Sequence, residues 1–500
     1  MSTHVNTSTI TGTAGLAVTV EAHIATGLPG FTILGRPDDV CRESRDRVRA
    51  AVLSSGFLWP SRRITINLAP SGVKKAGSAL DLAIAIAVLV ADEQIVVPDL
   101  DGYAFLGELG LDGSIRAIPG VAPMAAVHRE RALVAPEGNA HEAEIVGPRR
   151  MLVANSLRGL VESLVGNEPW PDRPVVESCD GGPSVNDLAD VRGQSAARLG
   201  LELSAAGGHH LLLVGPPGSG KTMLARRLPG LLPTLDSQTA LEVLMIRSAV
   251  GESLPRGGHA NVPPIRMPHH SASLIAMVGG GSSSLRPGEV SLAHGGVLFL
   301  DELGEFAPTT LDALRQPLEE GVIRLSRATA TAVLPARFTL VGATNPCPCG
   351  GGPPGSCECD ETALARYRRR FSGPLIDRFD VRVVVNRPGP DELLGDGVGE
   401  STAVVRERVM AVRRIALERQ GKLNADLSGP ALDEFASPTS AATALLRTEL
   451  EAGRLSGRGL HRIRRVARTL ADRDGSIDRI GEDHIALALS LRARLASRHR

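Results

Sequence analysis

The spacing of apolar positions shifts along the chain, and the shifts divide it. Over residues 1–165, apolar and polar positions alternate at 17–24 and 64–68, which predicts half-buried strands. Residues 38–54 set Val40, Val48, Ala51 and Val52 between arginines and acids, the pattern of a half-exposed helix. Residues 79–91 are apolar almost all round and predict a buried helix. Strand and helix signals then alternate over 185–388, with glycine-rich insertions, as in an α/β unit. The tail is helical throughout, with helices predicted at 402–420, 429–437, 441–451, 459–472 and 482–496. A Pro-, Gly- and acid-rich stretch at 166–182 and a turn-rich stretch at 387–399 separate these regions. The resulting division is 1–165, a linker at 166–184, a core at 185–388 and a helical domain at 389–500.

Composition changes this picture only slightly. Hydrophobic residues make up 43% of the chain and aromatics 3%, so the cores must be aliphatic. Fifty-five basic residues balance 55 acidic ones, so any case for nucleic acid must rest on local charge. The start lacks the basic and apolar regions of a secretory signal. The longest apolar run, at 82–91, is about half of what a membrane helix needs. These features predict a soluble, cytoplasmic protein with no membrane partner. Six cysteines do not suggest a disulfide scaffold.

Chemistry enters at an apolar strand, 210–214, that runs into Gly215-Pro216-Pro217-Gly218-Ser219-Gly220-Lys221-Thr222 and then a helix. This is G-x-x-x-x-G-K-T in strand–loop–helix context. The glycines let successive N–H groups point at phosphate oxygens. Lys221 is expected to reach the outer phosphates of ATP, and Thr222 to supply a hydroxyl to Mg²⁺. A second apolar strand, 296–300, delivers Asp301 and Glu302. Asp301 is expected to hold Mg²⁺, and Glu302 to polarise the attacking water.

Phe338-Thr339-Leu340-Val341-Gly342-Ala343-Thr344-Asn345-Pro346 resembles sensor 1 of AAA+ ATPases, which implies that Asn345 positions the lytic water. The segment 372–380, Ser-Gly-Pro-Leu-Ile-Asp-Arg-Phe-Asp, resembles the arginine-finger segment of the MCM and magnesium-chelatase branch. There the arginine, here Arg378, serves the neighbouring subunit's γ-phosphate. Leu455-Ser456-Gly457-Arg458-Gly459-Leu460 resembles a sensor 2 helix start, which implies Arg458 over the nucleotide. Each arginine taken alone also reads as a solvated surface charge.

Two more segments resemble the helix-2 insertion and presensor-1 hairpin of magnesium-chelatase-like proteins, elements that project toward the pore in ring-shaped relatives. They are 267–294, with His269 and His270, and 314–338. The paired histidines suit metal binding, packing or a pore loop, and the last two are preferred because no acid or cysteine lies nearby in sequence. Asn67-Leu68-Ala69-Pro70, residues 75–82 and residues 107–116 resemble the Lon-protease-like (ribosomal S5 domain 2-like) domain. With that domain included, nearly the whole chain resembles the ComM/YifB family of magnesium-chelatase-like AAA+ ATPases. Magnesium-chelatase I subunits themselves resemble only the part from about residue 185 on. The resemblance implies an α/β fold: a Lon-like α+β domain, an AAA+ core and a C-terminal helical lid. It also implies a homo-oligomeric ring, six-membered by analogy, that moves branched or single-stranded DNA by ATP hydrolysis. The rivals are a chelatase-like motor that remodels a protein partner and a non-enzymatic scaffold.

Lon-type proteolysis needs a serine nucleophile and a lysine base. The register set by Lys75 and Gly77 puts Ala79 and Ala122 at those two positions, with Ser78 one residue off, so no peptidase activity is expected. Cys347, Cys349, Cys357 and Cys359 bracket a Gly/Pro-rich turn. Four thiolates suit tetrahedral Zn²⁺, and reduced thiols in a loop remain the alternative. Arginines crowd the tail from Arg454 to Arg473 without aromatic interleaving, so base stacking there is not expected.

Overall fold

The opening alternation builds one mixed sheet. The computed structural model describes residues 2–172, 186–255, 261–281, 285–327, 330–351, 357, 359–371, 373–394, 399–476 and 478–493. Its strands begin with β1 (Ser2–Thr11), β2 (Ala14–Ala25), β3 (Gly30–Leu34), β4 (Arg63–Ala69) and β5 (Tyr103–Phe105). A short ribbon, β6 (Glu108–Leu109) and β7 (Ile115–Arg116), precedes β8 (Ala132–Ala135) and β9 (Arg150–Val153). The sheet order is β3-β4-β2-β1-β5-β8-β9, antiparallel where β2 meets β1 and β4, and parallel elsewhere.

The half-exposed helix runs Asp39–Ser54, because the Asp38 carboxylate caps it by accepting from Cys41 N. Val48, Ala51 and Val52 are buried as expected, but Val40 is exposed. The buried helix starts at Asp81 rather than 79, and nearly all of its residues are buried. Asp81 itself is enclosed, and it is bonded by Arg47 and Ser44 of the first helix. Burial pushes this carboxyl up, and those bonds pull it back down.

A second sheet is entirely parallel. It contains β10 (Leu211–Val214), β11 (Ile265–Arg266) and β12 (Val297–Leu300). The hairpin β13 (Val322–Arg327) and β14 (Ala330–Pro335) follows, then β15 (Thr339–Thr344) and β16 (Val381–Val384). The sheet order is β11-β12-β15-β10-β16. β10 and β12 are buried at every position, which is why they read as continuous apolar runs. In such sheets ligands lie beyond the carboxyl ends of the strands.

The helical tail follows the expectations closely. The helices are Thr402–Gln420, Pro430–Phe435, Ser440–Glu451, Gly457–Arg473 and Glu482–Ser490. The last helix stops short of 496 because the chain turns to bridge β16: Arg382 N donates to Leu491 O, and Ala493 N to Arg382 O. Residues 494–496 lie outside the described residues. One buried cluster joins Leu188, β10, β16 and the tail helices, including Val409, Ile463 and Val466.

The first sheet's domain is fastened to the second. Helix Val121–Ala126 packs on helix Ser237–Val250, and Ala122 N donates to Ser248 Oγ at 3.2 Å. Ala79 and Ala122 share a buried cluster against which Leu241 and Met245 pack. Most of the predicted linker, 173–184, lies outside the described residues, but Trp170 stacks back on Tyr103 with ring centroids 6.4 Å apart.

Candidate nucleotide-binding site

Three carboxyl strand ends meet at one cleft of about 470 Å³. β10 hands over to the glycine loop, where Gly215 N is tied to Thr344 O at 3.1 Å. Gly218 and Gly220 have φ of +74° and +89°, a conformation that a side chain would strain. Lys221 Nζ donates to Gly215 O (2.7 Å), Pro216 O (3.0 Å) and Asn345 Oδ1 (3.2 Å). Burial lowers the Lys221 ammonium from its ordinary value, while Asp301 and Glu302 oppose that shift. A partly desolvated cation held only by neutral oxygens is a ready receptor for phosphate.

Thr222 Oγ1 donates to Asp301 Oδ2 at 2.6 Å. A hydroxyl and a carboxylate in contact can share one octahedral Mg²⁺ between them. Glu302 follows at φ +51°, ψ 47°, left-handed for a residue with a side chain, at a cost of about 1–3 kcal/mol. Its N–H is held by Asp301 Oδ1 at 2.9 Å. Asn345 closes the cleft from β15. Its carbonyl accepts from the Tyr367 hydroxyl at 3.0 Å, and that hydroxyl also meets Thr344 Oγ1 at 2.9 Å. The residues read from the loop, Asp301, Glu302 and Asn345 therefore stand together. The arrangement can bind a Mg²⁺–triphosphate and present a carboxylate to a water beyond it.

The two arginines do not join them. Arg378 precedes β16, which pairs with β10 in the register Leu211↔Val381, so Arg378 lies at the amino-end edge of the sheet. The four-residue β10 alone separates that edge from the phosphate loop by about 10 Å, at 3.3 Å per residue. Arg378 lines a second cavity of about 660 Å³ with Arg337, Arg462 and Arg465. Burial lowers its guanidinium from the ordinary value, and Arg462, Arg458 and Arg315 add to that. Arg458 lies near enough to Arg378 to add to that shift, and it is not among the described residues lining its own chain's phosphate cleft. A plain surface arginine here would have Asp377 and Asp380 as its nearest acids in sequence. Arg378 instead contacts Glu319, while Arg462 takes both aspartates.

Four residues around the cleft were not tied to it by the sequence. Tyr367 braces Asn345. Gln194 Nε2 donates to Ser219 O at 3.3 Å, and Arg387 Nη2 to Pro217 O at 3.0 Å, so both fix the loop from outside. His270 Nδ1 lies 3.1 Å from Glu302 Oε2. The absence of acids near the histidines in sequence hid this contact, since β12 brings Glu302 alongside from 32 positions away. A lone tyrosine, glutamine or arginine carries no pattern that marks it.

The four clustered cysteines converge just beyond Asn345, with all ligand atoms within 4.8 Å of one another. Burial pushes the Cys41 thiol up to about 12, which fits an inert core residue; Cys179 lies outside the described residues. At the protease-like positions, Ala79 and Ala122 are buried beneath the ATPase-side helix, and Ser78 donates its hydroxyl to Glu108. Neither alanine carries a nucleophile or a base. Casein should survive incubation with the protein and ATP; cleavage lost on Ser78→Ala would show that the register is one residue off.

No helix among the described residues is long and apolar enough to cross a membrane. A family model described as magnesium chelatase, subunit ChlI, matches residues 187–393, and its C-terminal counterpart matches 399–492. A third, described as subunit ChlI of Mg-chelatase, matches 20–139, so likeness under that description extends well ahead of residue 185. YifB of Escherichia coli is 45% identical over 98% of this chain and 96% of its own. The competence protein ComM of Haemophilus influenzae is 43% identical over 95% of this chain and 94% of its own. A probable DNA helicase MCM9 of Oryza sativa is 26% identical over 35% of this chain and 21% of its own. Matched at this identity over nearly its whole length, the chain belongs to the ComM/YifB family of magnesium-chelatase-like AAA+ proteins.

Proposed function

We propose that this protein is an ATP-hydrolysing motor that assembles into a homo-oligomeric ring, a hexamer, and moves DNA in the cytoplasm. One observation carries the reading: the phosphate loop, Asp301, Glu302 and Asn345 share a cleft with no arginine among the described residues that line it, while Arg378 lies at the opposite edge of the sheet. A neighbouring copy is the source of arginine that this geometry leaves open. The β13–β14 hairpin and the segment around His269 are the elements assigned to the pore. The printed names of ComM and MCM9 favour DNA as the polymer. The three chelatase descriptions favour the second reading, a motor acting on a protein partner. ATPase rates with forked, four-way-junction and single-stranded DNA separate the two. Stimulation by at least one DNA supports the first reading; rates unmoved by all three favour the second.

Zinc at the cysteine cluster is part of the proposal. The Cys347, Cys349 and Cys357 sulfurs lie 3.2, 3.6 and 3.8 Å apart. Tetrahedral Zn²⁺ with Zn–S of 2.3 Å needs sulfurs about 3.8 Å apart, so the set fits with small adjustment. The metal would brace the turn that carries Asn345. Protein prepared without chelator should contain one Zn²⁺ per chain, and Cys357→Ser should lose it with a lower Tm. Metal-free protein with four titratable thiols there and an unchanged Tm rules the site out.

A further inference from the structure

Many of the arginines that crowd the helical tail are paired within the fold. Arg462 meets Asp377 and Asp380, Arg464 meets Asp433, Arg468 meets Asp472 and Arg473 meets Glu202. A second concentration of arginines, in the first domain, is not. Two loops lead into the adjacent parallel strands β8 and β9. They carry Arg129, Arg131 and Arg149, and Arg150 opens β9. The register Tyr103↔Ala132↔Arg150 sets these loops side by side at the amino ends of β5, β8 and β9. The two loops are bonded directly, with Arg149 N donating to Arg129 O at 2.7 Å.

Arg129, Arg149 and Arg150 are exposed, and Arg131 is half-buried. No ion pair ties any of the four to an acid among the described residues. The side-chain bond of Arg131 is to a neutral oxygen, Asp101 O, at 3.0 Å. Against four guanidiniums the two loops hold one carboxylate, Glu130. The positive field reaches inward: burial pushes the His128 imidazole down, and Arg131 adds to that. Like charges held this close repel, so the cluster gains by meeting an anion.

The chemistry of the surface narrows the anion. Protein–protein interfaces centre on apolar and aromatic side chains, whereas nucleic-acid interfaces are polar and strongly positive. The aromatic ring that shares this register, Tyr103, is already stacked on Phe105 and Trp170. Guanidiniums without a free stacking ring suit the phosphates of a duplex better than the bases of a single strand.

We propose that Arg129, Arg131, Arg149 and Arg150 form a sequence-independent contact for the backbone of duplex DNA, separate from the nucleotide cleft. The inference rests on the DNA reading above and gives it a holding site. The loop with Arg129 follows helix Val121–Ala126, which packs on helix Ser237–Val250 of the second domain. A duplex held there is therefore fastened to the ATPase unit.

Fluorescence anisotropy of the full-length protein with a labelled blunt duplex, repeated across a salt series, tests the site. The triple change Arg129→Ala, Arg149→Ala and Arg150→Ala should weaken binding roughly tenfold or more. It should also lower the slope of log affinity against log salt by roughly three, about one per phosphate contact removed. Arg150→Ala alone should lower that slope by about one. Two duplexes of unrelated sequence should lose equally. DNA-free ATP hydrolysis should match that of the parent, and thermal melting shows that each variant is folded. Lysine at the same three positions keeps the charges and should keep the parent's slope. If the parent binds duplex and the alanine variants bind it with the same affinity and slope, the site is overturned and the DNA reading stands. A parent that binds no DNA of any form overturns the DNA reading, and this site with it. Unchanged duplex binding with lost binding of poly-glutamate assigns the surface to an acidic protein and overturns the proposal. A loss that the lysine variant does not restore makes the arginines structural and overturns it as well.

Discussion

Glu302→Gln is expected to bind ATP as tightly as the parent and to turn it over roughly 10²- to 10⁴-fold more slowly, the usual contribution of a positioned general base. The amide keeps the shape of the carboxylate and its place after β12, but it has no charge with which to take a proton. Lys221→Ala is expected to fail earlier, at binding. Lys221 is the half-buried cation of the cleft, and its three donor contacts are to neutral oxygens that a triphosphate can outcompete. Removing it leaves Asp301 and Glu302 facing the incoming phosphates without compensation. Fluorescent-nucleotide titration and phosphate release, run on the same preparations, separate the two defects. Equal turnover in Glu302→Gln and parent would remove Glu302 from its assigned role.

The parts of this site that were legible in the sequence are those in which chemistry and backbone are coupled locally. The phosphate loop needs glycines at Gly218 and Gly220 because the chain turns left-handed there, so eight consecutive residues advertise it. Asp301 and Asn345 could be read because each terminates a buried apolar strand, and parallel order brings such ends together. Tail helices were legible because one face of each packs on the core, as Val409 and Ile463 do. What sequence alone did not give were contacts made across the fold. His270 meets Glu302 only through the pairing of β11 with β12. Arg458 stands in the first turn of a helix whose start resembles a sensor, but no local pattern records that its charge bears on Arg378. The burial of Ala79 and Ala122 under helix Ser237–Val250 depends on how two domains dock, which no local pattern records.

Arg378→Ala should bind ATP nearly as the parent does and lose roughly 10³-fold in turnover, the scale of an arginine supplied to a γ-phosphate from a neighbour. In transfer the γ-phosphoryl spreads negative charge over its oxygens, and a guanidinium placed there stabilises that charge. The chain's own Arg378 is at the wrong edge of the sheet to do this. Within one chain it rests against Glu319, with Arg462, Arg458 and Arg315 close enough to disfavour its charge. A neighbour's phosphates would relieve that repulsion, so the arginine cluster gains by meeting an anion that the isolated chain does not offer. Three consequences can be measured together. Activity per chain should rise with protein concentration as rings form. Arg378→Ala and Lys221→Ala, each nearly inactive alone, should recover part of the parent's rate when mixed, because one interface in the mixed ring pairs an intact phosphate loop with an intact arginine. Arg458→Ala should behave like Arg378→Ala in that mixing assay, being rescued by Lys221→Ala but not by Arg378→Ala. A surface arginine neutralised by Glu319 predicts the opposite pattern: a nearly silent substitution, no complementation, and activity per chain that stays flat down to concentrations at which only monomer is present.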